Sequence, residues 1–173
     1  YIPSNSIGLE IGVWTGNFSS RLLRLAKPIK LHLIDPYVYD FSTLPIVGLV
    51  QNQEDVDMVF ELVQERFINN SEVIIHKSTS NEMVDHFEDE YFDWIYVDGS
   101  HKYERVLDDL RNYLGKVKIG GLIIGDDWDW TNSRQQPQHT FPIRKAVLEF
   151  LQDNESVEMT IQKNGQFVIK RLK

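Results

Sequence analysis

The sequence predicts an α/β fold, a three-layer α/β/α sandwich around a mostly parallel, seven-stranded sheet. Two observations predict it. Short apolar strands alternate with amphipathic helices along most of the chain, and alternation of that kind builds a parallel sheet with helices on both faces. The chain then ends differently, in two strand-like runs around Lys163-Asn164-Gly165. Asn-Gly between such runs is a strong signal for an antiparallel hairpin.

Taken in order, Ile7 to Gly12 reads as a strand running into a glycine turn. A helix follows from Asn17 to Leu25, with Phe18, Leu22, Leu23 and Leu25 at helical spacing, and Pro28 stops it. Leu31 to Asp35 is the next strand, and Pro36 takes the chain out of the sheet. Tyr37 to Asn52 is aromatic and aperiodic, a long loop of the kind that often covers a site. Glu54 to Ile68 is a helix with Val56, Val59, Phe60, Val63 and Phe67 on one face. Val73 to His76 is a strand, Ser80 to Phe87 a short helix, and Phe92 to Val97 a strand. Tyr103 to Leu114 is a helix whose Val106, Leu107, Leu110 and Leu114 face the core. Gly120 and Gly121 mark the entry to Leu122-Ile123-Ile124, a buried strand, and a second loop runs from Asp126 to Gln138. Pro142 to Leu151 is a helix, and Val157 to Gln162 with Gln166 to Lys170 form the hairpin.

A length of 173 residues suits one domain, residues 1–173, and is too short for two ordinary ones. With 26 acidic against 18 basic side chains, the formal charge is −8. Nucleic acid and anionic membrane are therefore excluded as general partners, because both need clustered Lys and Arg. A small molecule in a local pocket is not, and a homo-oligomer stays open. The lack of cysteine excludes disulfides, thiolate metal sites and a cysteine nucleophile, and fits a reducing cytoplasm. No apolar run approaches the roughly 20 residues that span a bilayer. The chain has no basic-then-apolar leader and starts almost directly on a strand, so a cytoplasmic protein with further upstream residues is expected.

In open parallel sheets, ligands sit outside the carboxyl ends of the strands. After the first strand stands Glu10-Ile11-Gly12-Val13-Trp14-Thr15-Gly16. The glycines permit a tight turn and close approach of a ligand, and the following helix offers free N–H groups. Trp14 occupies the place of the second glycine of a dinucleotide fingerprint, and no Gly-Lys-Ser/Thr follows. An acid two residues before the first glycine is poorly suited to a pyrophosphate and well suited to a ligand carrying an ammonium and a sulfonium. After the second strand, Asp35 can accept both hydroxyls of a ribose. After the third, Ser78 and Thr79 can touch a base or cap the next helix.

The fourth strand ends in Asp98-Gly99-Ser100-His101 and the fifth in Asp126-Asp127-Trp128. If those strands are adjacent, about 4.8 Å apart, three carboxylates converge at one rim. They then take a hard cation, Mg²⁺ first and Mn²⁺ or Ca²⁺ as alternatives, or they merely cap the turns. His101 suits a general base near neutrality and equally a helix cap. His76 and His139 read as lone structural histidines, and Trp14, Trp128 and Trp130 line a pocket or pack.

Together these motifs resemble the class I S-adenosylmethionine-dependent methyltransferases, whose Rossmann-like fold closes with a terminal antiparallel hairpin. The runs that carry the resemblance are Leu9 to Gly16, Leu33 to Pro36, Val97-Asp98-Gly99-Ser100-His101-x-Tyr103-Glu104-x-Val106-x-x-Asp109-Leu110 and Gly120-Gly121-x-Ile123-x-x-Asp126-Asp127. Within that family they are most similar to small bacterial O-methyltransferases related to the macrocin, mycinamicin and novobiocin sugar methyltransferases. The resemblance implies that Glu10, Gly12 and Gly16 hold the methionine part of S-adenosylmethionine and Asp35 the ribose; Val13, Trp14 and Ser78 complete the expected cofactor-binding set. It implies Asp98 beside the methyl group, and Asp98, Asp126 and Asp127 as ligands of Mg²⁺. Asp98 or His101 would remove the acceptor proton. The sugar enzymes carry a second acid soon after the fourth-strand Asp, where this chain has Gly99-Ser100-His101. A nicotinamide-dependent oxidoreductase and a non-catalytic cofactor-binding module are the competing readings.

Overall fold

The computed structural model describes residues 2–39, 50–131 and 141–173. His139 and the middle of both long loops, 40–49 and 132–140, lie outside the described residues. The elements run β1 (Ile7–Ile11), α1 (Asn17–Ala26), β2 (Lys30–Asp35), α2 (Gln53–Phe67), β3 (Val73–Lys77), α3 (Ser80–Met83) with a 3₁₀ turn at Val84–His86, β4 (Phe92–Val97), α4 (Tyr103–Leu114), β5 (Val117–Gly125), α5 (Pro142–Asp153), β6 (Val157–Lys163) and β7 (Gln166–Arg171). The seven strands lie in the order β3-β2-β1-β4-β5-β7-β6. β7 alone joins β5 antiparallel, and β6 pairs back on β7. The expected fold class is the one observed.

Local chemistry explains most boundaries. Asn52 caps α2 by accepting from the Asp55 N–H, and Glu54 and Asp55 sit in its first turn, where acids favour the helix dipole. Pro142 opens α5 at a position that needs no N–H. Lys27, not Pro28, ends α1: it turns left-handed at φ 47° and its N–H closes on the Leu23 carbonyl. Asn164 and Gly165 have φ of 55° and 78°, the paired positive angles of a tight hairpin turn. β5 begins five residues before the expected Leu122, at Val117. Gly120 bends at φ 82° inside the strand, and the pairing with β4 shifts register there, so the glycines mark an irregularity and not an entrance.

The sheet divides two cores. Leu9, Ile11, Ile95 and Val97 face α4 and α5, whose Val106, Leu110, Val147 and Phe150 are buried against them. Leu31, Leu33, Trp94 and Tyr96 face α1 and α2, meeting Leu22, Val56, Val63 and Phe67. Gly8 makes room for the Trp94 indole, which would lie 2.0 Å from an added Cβ. Fully burying each such Leu or Phe contributes roughly 1.5–3 kcal/mol.

His76 is not a lone residue. His32, 5 % exposed on β2, faces it with Nδ1 and Nε2 2.9 Å apart. Tyr91 Oη stands 3.2 Å from His32 Nε2 and accepts from Lys30 Nζ, also at 3.2 Å. Lys30 can only donate, so Tyr91 Oη accepts from it, and the neutral His32 ring donates through one nitrogen and accepts through the other, linking Tyr91 to His76. Burial, then His76 and Lys30, hold the His32 imidazole down at about 4, and burial with His86 lowers His76.

Candidate active site

The glycine turn leaves β1 where the ends of β1 and β4 meet. Gly12 has φ 91°, and a Cβ there would lie 2.3 Å from the Asp98 carbonyl oxygen. Only glycine fits both the angle and the space. Gly16 at φ 71° caps α1, with the Phe67 ring 2.9 Å from where a Cβ would stand. Between them, the Val13 and Trp14 N–H groups donate to Asp35 Oδ2 at 3.0 and 2.9 Å, and Trp14 is held at φ 50°. Asp35 Oδ1 accepts from the Tyr37 N–H at 2.9 Å. Asp35 thus stands at the end of β2 as expected and also fastens the turn. Each carboxylate oxygen has two acceptor positions, so Oδ2 is filled by the turn and Oδ1 keeps one position for a hydroxyl donor.

Glu10 is 1 % exposed, and its Oε2 has no hydrogen-bond partner. The Ser19 hydroxyl on α1, the neighbour that most favours the charged form, stands by it without closing a hydrogen bond. Burial first, then the charges of Asp98 and Asp35, push the Glu10 carboxyl up to about 8. A buried acid with no counter-ion among the described residues, beside a turn that exposes backbone to a ligand, fits a cofactor with an ammonium group. Ser78 and Thr79 behave as the helix-capping reading expects. Thr79 forms a reciprocal capping box with Glu82, and Ser78 Oγ donates to Glu82 Oε2 at 2.9 Å.

Val97 and Gly125 are register partners, so Asp98 and Asp126 leave neighbouring strands side by side. Asp126 Oδ1 accepts from the Asp127 N–H at 2.9 Å, and its Oδ2 accepts from the Tyr96 hydroxyl at 3.1 Å. Asp127, at φ 59°, presents Oδ2 2.7 Å from His101 Nε2. The His101 ring stacks on Trp130, centroids 4.6 Å apart. His101 is therefore turned to Asp127 and does not cap α4. Asp98 is open to solvent on one side, yet the protein packed around it and the charges of Asp126 and Asp127 push it up to about 7, with His101 opposing. The four groups line one small cleft with Ser100 and Phe167. Trp128 is buried against Phe167.

The expected Mg²⁺ set of Asp98, Asp126 and Asp127 is brought to one rim, but two of its members are engaged elsewhere. Among the described residues, no group of three or more His, Cys, Asp or Glu side chains is arranged to hold a metal ion. Two site residues escape the sequence reading. Tyr96 lies two positions before Asp98 on β4, a period-two signal that would have placed both on one face. Gln166, first in β7, donates from Nε2 to the Tyr96 hydroxyl at 2.7 Å, and the Trp128 N–H donates to the Gly165 carbonyl at 2.7 Å. The hairpin turn thus forms part of the site wall.

Residues 9–128 match a family described as a methyltransferase domain. The chain belongs to that family. It is an S-adenosylmethionine-dependent methyltransferase, which sets the nicotinamide reading aside. Solved structures share the fold. The O-methyltransferase NovP is 20 % identical, with a TM-score of 0.63 over 97 % of this chain and 72 % of that one. Fibrillarin from Aeropyrum pernix, bound to S-adenosylmethionine, is 10 % identical, with a TM-score of 0.66 over 97 % and 67 % of the two chains. An S-adenosylmethionine-dependent methyltransferase from Aquifex aeolicus is 16 % identical, with a TM-score of 0.64 over 98 % and 82 %. No curated protein matches the chain in sequence. No helix among the described residues is long and apolar enough to cross a membrane.

Proposed function

We propose that this methyltransferase acts on a hydroxyl oxygen of a small acceptor, a sugar or a phenol, in the cytoplasm, with His101 as general base. The observation that carries the reading is the 2.7 Å pair of His101 and Asp127, stacked on Trp130 and set beside Asp98. Bound S-adenosylmethionine supplies an electrophilic methyl group on a sulfonium. Glu10, with the turn of Gly12, Val13, Trp14 and Gly16, holds its methionine end, Asp35 its ribose, and Ser78 stands on the adenine side. Asp98, at the junction of the β1 and β4 ends, faces the methyl group. His101 takes the proton of the attacking hydroxyl, and Asp127 steadies the imidazolium that forms. The name of the structural neighbour NovP supports oxygen as the acceptor atom, and the lack of cysteine supports the reducing compartment.

A divalent cation is the second reading. It is favoured by the charges of Asp126 and Asp127 pressing on Asp98. As arranged the three carboxylates do not fit a metal, because Asp127 would first have to release His101.

The test is methyl transfer to a panel of catechols and sugars, with chelator and with added Mg²⁺. Transfer that survives chelator and falls about 100-fold or more in His101→Gln supports the base. An undiminished His101→Gln variant refutes it. Loss in chelator that Mg²⁺ restores moves the reading to the metal. A protein that binds S-adenosylhomocysteine yet methylates no member of the panel is the non-catalytic module.

A further inference from the structure

We propose that Glu10 is protonated in the cofactor-free protein and gives up that proton when an amino-acid ammonium is seated against it, so that cofactor capture is coupled to proton release. The inference rests on the reading of Glu10 as the contact for the methionine end of the cofactor. Glu10 is 1 % exposed, and both its Oε2 and the adjacent Ser19 hydroxyl are buried without a partner. Its charged neighbours are acids only: Asp35 from the end of β2 and Asp98 from the end of β4. The Tyr37 hydroxyl, also buried and unpartnered, feels Asp35 and Glu10 itself, and stays protonated. Ser19 on α1 is neutral. Among the described residues no element packed on Glu10 contributes a cation, so the neutral acid is the form that the empty site stabilises.

An incoming ammonium reverses that balance. The O–H bond of the carboxylic acid breaks, its electron pair stays on the carboxylate, and the proton passes to solvent. One negative charge then faces one positive charge, and the buried pair is neutral. S-adenosylhomocysteine lacks the sulfonium but keeps the ammonium, so it releases the same proton. 5′-Methylthioadenosine keeps the nucleoside and lacks the ammonium, so it releases none.

Isothermal titration of the whole chain in phosphate and in Tris reads the proton directly from the difference in heat. With Glu10 titrating at about 8, binding of S-adenosylhomocysteine releases about 0.9 of a proton at pH 7 and about 0.1 at pH 9. 5′-Methylthioadenosine releases less than about 0.1 at either pH, and Glu10→Gln binds S-adenosylhomocysteine with no release. Binding of S-adenosylhomocysteine at pH 7 with no more than about 0.2 of a proton released overturns the coupling and leaves the site reading in place. Equal release by both ligands also overturns it, since the ammonium is then not the cause. An affinity for S-adenosylhomocysteine that does not change in Glu10→Gln overturns the site reading itself. If Glu10→Gln does not fold, the two ligands compared on the wild type still decide the coupling.

Discussion

Acid should weaken this fold through His32, and the amount follows from its surroundings. The imidazole is 5 % exposed and held at about 4, against an ordinary value near 6.5. A depressed histidine is neutral when folded and charged in the unfolded chain. Its stabilising effect is therefore complete above about pH 6.5 and lost as the pH falls toward 4. Between pH 7.5 and 5 the loss is about 2 kcal/mol, from 1.36 kcal/mol per pKa unit. His76 pushes in the same direction, while the raised carboxyls of Glu10 and Asp98 push the other way. The useful quantity is thus the difference from His32→Leu, which keeps an apolar side chain among Phe87 and Phe92. Urea midpoints followed by circular dichroism at both pH values give it. Wild type should lose about 2 kcal/mol more than the variant. If the two lose equal stability, His32 is not the buried neutral imidazole described, and the chain from Lys30 through Tyr91 to His76 is wrong.

Gly12→Ala should cost roughly 3 kcal/mol or more, combining a left-handed backbone with a 2.3 Å clash on the Asp98 carbonyl. Urea melts check it, and a cost under about 1 kcal/mol would mean that the β1 and β4 ends separate freely. Tyr96→Phe should cost about 1–3 kcal/mol, because the Gln166 amide and Asp126 both lose their buried partner. The same variant should slow methyl transfer while S-adenosylhomocysteine affinity holds; a fall in that affinity would place Tyr96 in the cofactor half instead. Asp35→Ala frees the Val13 and Trp14 N–H groups and removes the proposed ribose acceptor. Calorimetry should show at least about a tenfold weaker S-adenosylhomocysteine complex, and an unchanged one would exclude Asp35 from the site.

What could be read in advance was whatever the chain repeats or punctuates. Buried parallel strands are continuous apolar runs, so β1 to β4 and their helices were legible, as was the Asn164-Gly165 turn. Glycine usually interrupts a strand, so the sequence points to a β5 that starts at Leu122, whereas Gly120 is a bend that pairing survives. The strand-end acids were legible as a set, since topology alone puts them on one rim. Their allegiances were not. Asp35 holding the turn, Asp127 holding His101 and Gln166 reaching Tyr96 are contacts across 22, 26 and 70 positions, and no local pattern encodes them. The pairing of His32 with His76 was hidden for the same reason: it depends on β2 and β3 being neighbours in register, His32 beside Ile74 and Ile34 beside His76.

The sheet that separates the two cores also separates two kinds of tuning. Gly8 and Glu10 look toward the α1 and α2 layer, where Trp94 and Ser19 meet them. Trp128, Trp130 and the floor under His101 belong to the α4 and α5 layer. If the acceptor sits over His101 as proposed, a repacked α4–α5 layer would reshape most of its surroundings, Tyr96 excepted, and leave the Glu10 side of the sheet as it was. On that proposal, selection for a new acceptor, in nature or in a library, would have one side of the sheet to work on while the proposed cofactor contacts stay on the other.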